Sequence, residues 1–239
     1  MKKRICALAL TLALAAGGLS LASDLKMSDG HILPLGNEVT LREADKSYVG
    51  KELQKEWNRE KVEKEILPAV KRMGLFGKGD ALHEKMMAEQ LGQLFEATRF
   101  SQLQMETKEA FHQAVVMSVK LEEKDIAGWN EIIRAMEKAH PGKIDILGEN
   151  RTLNLETIRE SMKKEEGHDR FVYKKDGQTE FIYGSIFLFA EQYGVETPFY
   201  VFFIATADKG QFGVTAIYTN QATGRIMEPV LVKGAEGLR

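Results

Sequence analysis

Cysteine is almost absent from this 239-residue chain: Cys6 is its only one, and it lies within an apolar stretch close to the N-terminus. Beyond residue 22 there is no thiol, which excludes disulfides, thiolate nucleophiles and cysteine-ligated metals from that part of the protein. Histidine is also scarce. His31, His83, His112, His140 and His168 stand far apart, with no pair at the i,i+2 to i,i+4 spacings of a local metal site. His83-Glu84 begins like a zinc-binding His-Glu-x-x-His helix, but Met87 occupies the place of the second ligand. A basic excess is lacking too: 33 Lys and Arg face 35 Asp and Glu. Nucleic-acid binding, which leaves a basic footprint, is therefore not expected. Only five prolines interrupt the chain, and no apolar run reaches the roughly 20 residues of a convincing membrane span.

The N-terminus carries the clearest pattern. Lys2, Lys3 and Arg4 precede an uncharged run from Ile5 to Leu21, and Ser20-Leu21-Ala22 has the small-x-small form read by signal peptidases. The expectation is a cleaved secretory signal covering residues 1–22, cut between Ala22 and Ser23. Cys6 lies too early for a lipid anchor, which requires cysteine at the cleavage point. Cleavage would remove three basic residues and no acidic one, leaving a net charge of about −5. The bacterial style of the signal makes the periplasm, or secretion, the expected location.

Two halves follow. From Gly50 to Arg72, Leu53, Trp57, Ile66 and Val70 form a narrow apolar stripe on a charged helix, with Pro68 set to kink or end it. Gly74 to Gly79 reads as a loop, and Asp80 as the N-cap of a helix with Leu82, Met86, Leu91, Leu94 and Phe95 on its apolar side. Phe100 to Leu121 reads as a hairpin turning at Thr107 to Ala110 rather than as one helix, because Val115, Val116, Met117 and Val119 favour strand. Asp125 to His140 is a helix bearing Trp129, Ile132, Ile133 and Met136, stopped by Pro141-Gly142. A shorter helix, capped by Thr152 or Asn154, runs to about Lys164. Beyond Arg170 the pattern becomes that of a sheet: thirteen of the eighteen Phe and Tyr residues lie between Phe171 and Tyr218. Asp176-Gly177 signals a hairpin, Phe199 to Ala207 is apolar on both faces as in a covered interior strand, and Asp208-Lys209-Gly210 turns it back. Pro229 limits any helix in the tail. The fold class is α+β: a mostly C-terminal antiparallel sheet with packed helices and a helix-rich N-terminal half. Residues 23–239 are expected to form one domain, with a subdivision near residues 141–150 left open.

Motifs with chemistry fail on context. Ser161-Met162-Lys163-Lys164 has the Ser-x-x-Lys spacing of penicillin-recognising acyl-transferases, and Tyr218-Thr219-Asn220 echoes their second motif. The Lys-Thr-Gly element is missing, however. Six methionines between Met73 and Met136 are dispersed as core fillers are, rather than clustered as thioether ligands. No catalytic residue, metal or cofactor is implied. Exposed rings of the C-terminal half, with Tyr183 and Tyr193 as candidates, would be the place for a ligand, and Trp57 could carry its helix onto a protein partner. The expected function is that of an exported, non-catalytic module. Its partner would be another envelope protein or a small apolar ligand compatible with aromatic side chains. The alternative is an envelope hydrolase with a site of scattered carboxylates and histidines.

Overall fold

A computed structural model describes residues 24–37, 39–43, 48–77, 79–148, 152–166, 171–192 and 195–239. The expected signal segment, with Ala22 and Ser23, lies outside the described residues, as do His168 and Tyr193. No helix among the described residues is long and apolar enough to cross a membrane.

Asp176-Gly177 closes the hairpin the sequence announces. Gly177 takes φ 59°, a left-handed conformation that glycine adopts without steric cost, and joins β6 (Phe171–Asp176) to β7 (Thr179–Gln192). β7 pairs with β8 (Val195–Asp208) from Glu180 opposite Ala207 to Gln192 opposite Val195. Lys209 and Gly210, both at positive φ, then return the chain into β9 (Gln211–Asn220). The earlier hairpin is also present, as β4 (Arg99–Glu106) and β5 (Phe111–Leu121). A strand without a clear sequence signal, β3 (Val39–Glu43), pairs along β4 at the sheet edge. The order β3-β4-β5-β9-β8-β7-β6 makes one antiparallel sheet of seven strands. The β5–β9 pairing unites strands from the two halves of the sequence.

Each sheet face is covered differently. On the first, a small hairpin of β1 (Asp24–Lys26) and β2 (Ile32–Pro34) contributes Leu25, Met27 and Leu33 to a core with Tyr200, Phe202, Ile204 and Ile217. The C-terminal residues complete that cover as a helix, α6 (Gln221–Glu236), and not as the proline-limited tail the sequence suggests. Asn220 Oδ1 caps it, accepting from Thr223 N–H at 2.9 Å. An interior proline costs a helix about 3 kcal/mol. Burying Met227 and Leu231 offsets that loss, at about 1.5–3 kcal/mol each. Gly224 allows the helix to approach so closely that a Cβ there would stand 2.1 Å from Tyr200 Cγ.

The second face lies under α3 (Ala81–Ala97), α4 (Glu123–Ala139) and α5 (Leu155–Glu166). Asp80 caps α3, as its sequence position implies, and Asn154 caps α5, with Thr157 N–H donating to its Oδ1 at 2.9 Å. Glu122 and Asp125 form a reciprocal capping box at the start of α4. In α3 the buried side is Met87, Gly92 and Phe95, whereas Leu82, expected on its apolar side, is 65% exposed.

The charged segment is not the one helix, kinked or ended by Pro68, that its pattern predicts. It breaks at Trp57 and Asn58 into α1 (Tyr48–Glu56) and a second helical run, α2, from Arg59 to Met73. Asn58 Oδ1 caps α2 by accepting from Lys61 N–H at 3.0 Å. Ahead of Pro68, residues Val62–Ile66 widen into a π-helical turn in which Leu67 N–H reaches back to Val62 O. The wider turn accommodates a ring that would clash with the carbonyl four residues earlier in a regular helix.

Candidate functional site

The antiparallel register of β5 and β9 places Val115 opposite Tyr218, Met117 opposite Ala216 and Val119 opposite Val214. Directly opposed residues share a sheet face, so these side chains form one floor, with Ala216 as its small residue. α3 contributes Leu94 above the floor, and α4 contributes Trp129 and Ile133, four residues apart and hence on one helix face. Leu153, from the connection into α5, closes one side. Trp57 closes another: its indole stacks on Phe95 with centroids 4.0 Å apart and 6° between planes, and meets Phe100 edge-on at 5.6 Å. The space between them is a half-open cavity of about 310 Å³ with almost wholly apolar walls. Ligand pockets begin at about 300 Å³.

Few polar groups belong to it. Thr98 Oγ1 is spent on the Leu94 carbonyl, to which it donates at 2.7 Å. Burial pushes the Tyr218 phenol above the ordinary tyrosine range, so it stays a neutral hydroxyl. Trp57 Nε1 is buried with no acceptor. Both tryptophans of the chain, Trp57 and Trp129, line this one cavity.

A second, open cleft of about 430 Å³, formed mostly by polar and charged residues, adjoins it where the end of α3 meets the β5–α4 junction. Leu94 and Leu121 belong to the walls of both. Gln90, Gln93 and Glu96 line the cleft from α3, and Lys120, Glu122 and Lys124 from the other side. Most of its charges are already engaged: Lys120 pairs with Glu122 at 2.9 Å, and Glu96 with Arg59 at 3.3 Å. Asp125 accepts from Glu122 N–H at 2.9 Å. Gln90 packs against Gly128, where an added Cβ would stand 2.8 Å from its Nε2, and Gln90 Oε1 is buried without a donor.

The described histidines and the Ser-x-x-Lys pair singled out in the sequence are placed elsewhere and apart. His31 Nδ1 lies 2.9 Å from Asp29 Oδ2; the same carboxylate accepts from His31 N–H at 3.1 Å and from Thr206 Oγ1. These bonds fasten the turn of the β1–β2 hairpin to the sheet. His83 sits on the Asp80 cap at 2.7 Å, and that interaction holds the Asp80 carboxyl below its usual range. His112 Nε2 is 3.3 Å from Thr107 Oγ1, and His140 Nε2 is 2.8 Å from the Gly74 carbonyl. Among the described residues no group of three potential metal ligands converges. Ser161 and Lys164 fall on α5. Thr219 donates to the Gln113 carbonyl, and Asn220 caps α6, so the Tyr218-Thr219-Asn220 run is used structurally apart from Tyr218.

Two ligand expectations are corrected. Tyr183 is only 3% exposed, packed in the first-face core near Phe202, because its position on β7 points it under α6. Trp57 does not present its helix outward: Phe95 and Phe100 hold it against the protein. Met87, Met105 and Met117 are spread over α3, β4 and β5, with Met105 on the first face and Met117 on the second. Sequence reasoning missed the cavity residues Met117, Ala216 and Leu153 as a set. Their shared face depends on the β5–β9 register, which no local signal encodes. Comparison with known proteins finds no matching family model, no matching curated protein and no matching solved structure.

Proposed function

We propose that this protein is an exported, non-catalytic binding module that holds a small apolar ligand between α3, α4 and the β5–β9 floor. The observation that carries this reading is the apolar cavity of about 310 Å³ walled by both tryptophans. Its volume is about twice the ~150 Å³ cavity that takes up benzene in an engineered protein core. Export rests on the N-terminal charge and hydropathy pattern, with the periplasm as the proposed location. Support for binding over hydrolysis comes from the polar groups. Both described carboxylate–histidine pairs are built into turns and caps: Asp29 also accepts from Thr206 and the hairpin backbone, and Asp80 caps α3. The remaining described histidines serve a turn and a helix end.

The test uses N-phenyl-1-naphthylamine, a neutral apolar fluorophore, titrated into the purified protein while exciting tryptophan. Saturable quenching of tryptophan emission with matching probe emission is expected, since Trp57 and Trp129 both contact the site. Ala216→Leu, which places a larger side chain on the cavity floor, is expected to abolish the signal in a folded protein. Equal binding by wild type and this variant, or no saturable binding by either, overturns the reading.

A further inference from the structure

Resting on the reading of the apolar cavity as a ligand site, we propose that its ligand is a single-chain amphiphile whose head is uncharged and rich in hydroxyl groups. The chain occupies the apolar cavity and the head occupies the adjoining cleft. Leu94 and Leu121 line both spaces, so an extended molecule passing over these two residues enters each. The cavity volume, scaled from the benzene-sized ~150 Å³ case, suits a chain of about eight to ten carbons.

The cleft selects the head. The charges of Lys120 with Glu122 and of Glu96 with Arg59 are already paired, so the cleft offers a charged head little uncompensated charge to bind. The carboxylates of Glu122 and Asp125 are additionally tied into the capping box of α4. Gln90 and Gln93 are the neutral hydrogen-bonding groups of the cleft, and Gln90 Oε1 is buried without a donor. A head with several hydroxyls carries donors for this oxygen and for Gln93 Oε1, whose own amide already donates to Glu89 at 3.0 Å; octanol carries one donor, and a carboxylate or a quaternary ammonium none. Lys124 lies on the exposed rim, where water screens it.

Displacement of N-phenyl-1-naphthylamine tests the head separately from the cavity. Octyl glucoside, octanol, octanoate and octyltrimethylammonium, each below its micellar threshold, share one chain length and differ in head. Octyl glucoside is expected to compete at least about fivefold better than any of the other three. Hexyl, heptyl and octyl glucosides should gain about fourfold per methylene, the increment of a chain entering an apolar space. Gln90→Leu should remove the advantage of glucoside over octanol while probe binding persists. Gln93→Leu, at an exposed position, repeats the comparison if Gln90→Leu does not fold. Octanol or octanoate competing as well as glucoside overturns the head assignment and leaves the cavity reading standing. Failure of the probe and of every amphiphile to bind overturns both.

Discussion

Replacing Ala216 by Leu adds three carbons at the cavity floor, opposite Met117 on β5 and Phe203 on β8. If they enter empty apolar space, burial contributes about 2.4 kcal/mol at 0.8 kcal/mol per carbon. Fixing the leucine rotamer takes back about 0.5–1 kcal/mol. The net gain of about 1.5 kcal/mol corresponds to a Tm rise of about 3–6 °C for a protein of this size. In a close-packed site the same substitution would overpack and cost about 1–3 kcal/mol, so the sign of the effect decides between the two cases. The assay is a thermal melt followed by circular dichroism, paired with the naphthylamine titration. A higher Tm with loss of probe binding is expected. A lower Tm with probe binding intact would refute the assignment of an open cavity at this position.

Gly224→Ala probes the opposite situation. Helix propensity favours alanine by about 1 kcal/mol, but its Cβ would stand 2.1 Å from the ring of the fully buried Tyr200. A net loss of about 2 kcal/mol or more in urea unfolding is expected, and a stabilised variant would show that α6 does not sit this close. Glu137 Oε1 accepts from both Ile146 N–H and Leu147 N–H at 2.9 Å, pinning the connection after α4. Glu137→Ala should cost about 2–3 kcal/mol and Glu137→Gln less, read from urea midpoints; equal costs would argue against the double acceptance. Burial raises the Tyr200 phenol, with the Glu228 charge adding to it, and burial raises Tyr218. The unfolded chain therefore loses these protons first. Stability is full below pH about 10 and falls as pH rises through that value toward the folded-state values. The Tyr200→Phe, Tyr218→Phe double variant should lose less stability between pH 9 and 11 than wild type, and equal loss would refute the burial argument.

Local signals in the sequence were enough to locate most elements. Asp176-Gly177 and Asp208-Lys209-Gly210 turn where they do because Gly177 and Gly210 take positive φ without steric cost. Asp80 and Asn154 start helices by supplying acceptors to N–H groups that would otherwise go unpaired. The two-sided apolar pattern of Phe199 to Ala207 marked an interior strand, and β8 lies between β9 and β7. Other features arose only from packing. α6 persists through Pro229 because the sheet buries Met227 and Leu231, an energy invisible along the chain. Trp57 leaves the line of its helix for Phe95, nearly forty residues away. β3 has too short a pattern to announce itself and takes its place from pairing with β4. The candidate site belongs wholly to this second kind. Its walls come from six separate segments, and the space between them exists because β5 and β9 align in one register beneath α3 and α4. Periodicity records which residues avoid water, but only the tertiary arrangement decides where those residues leave a gap.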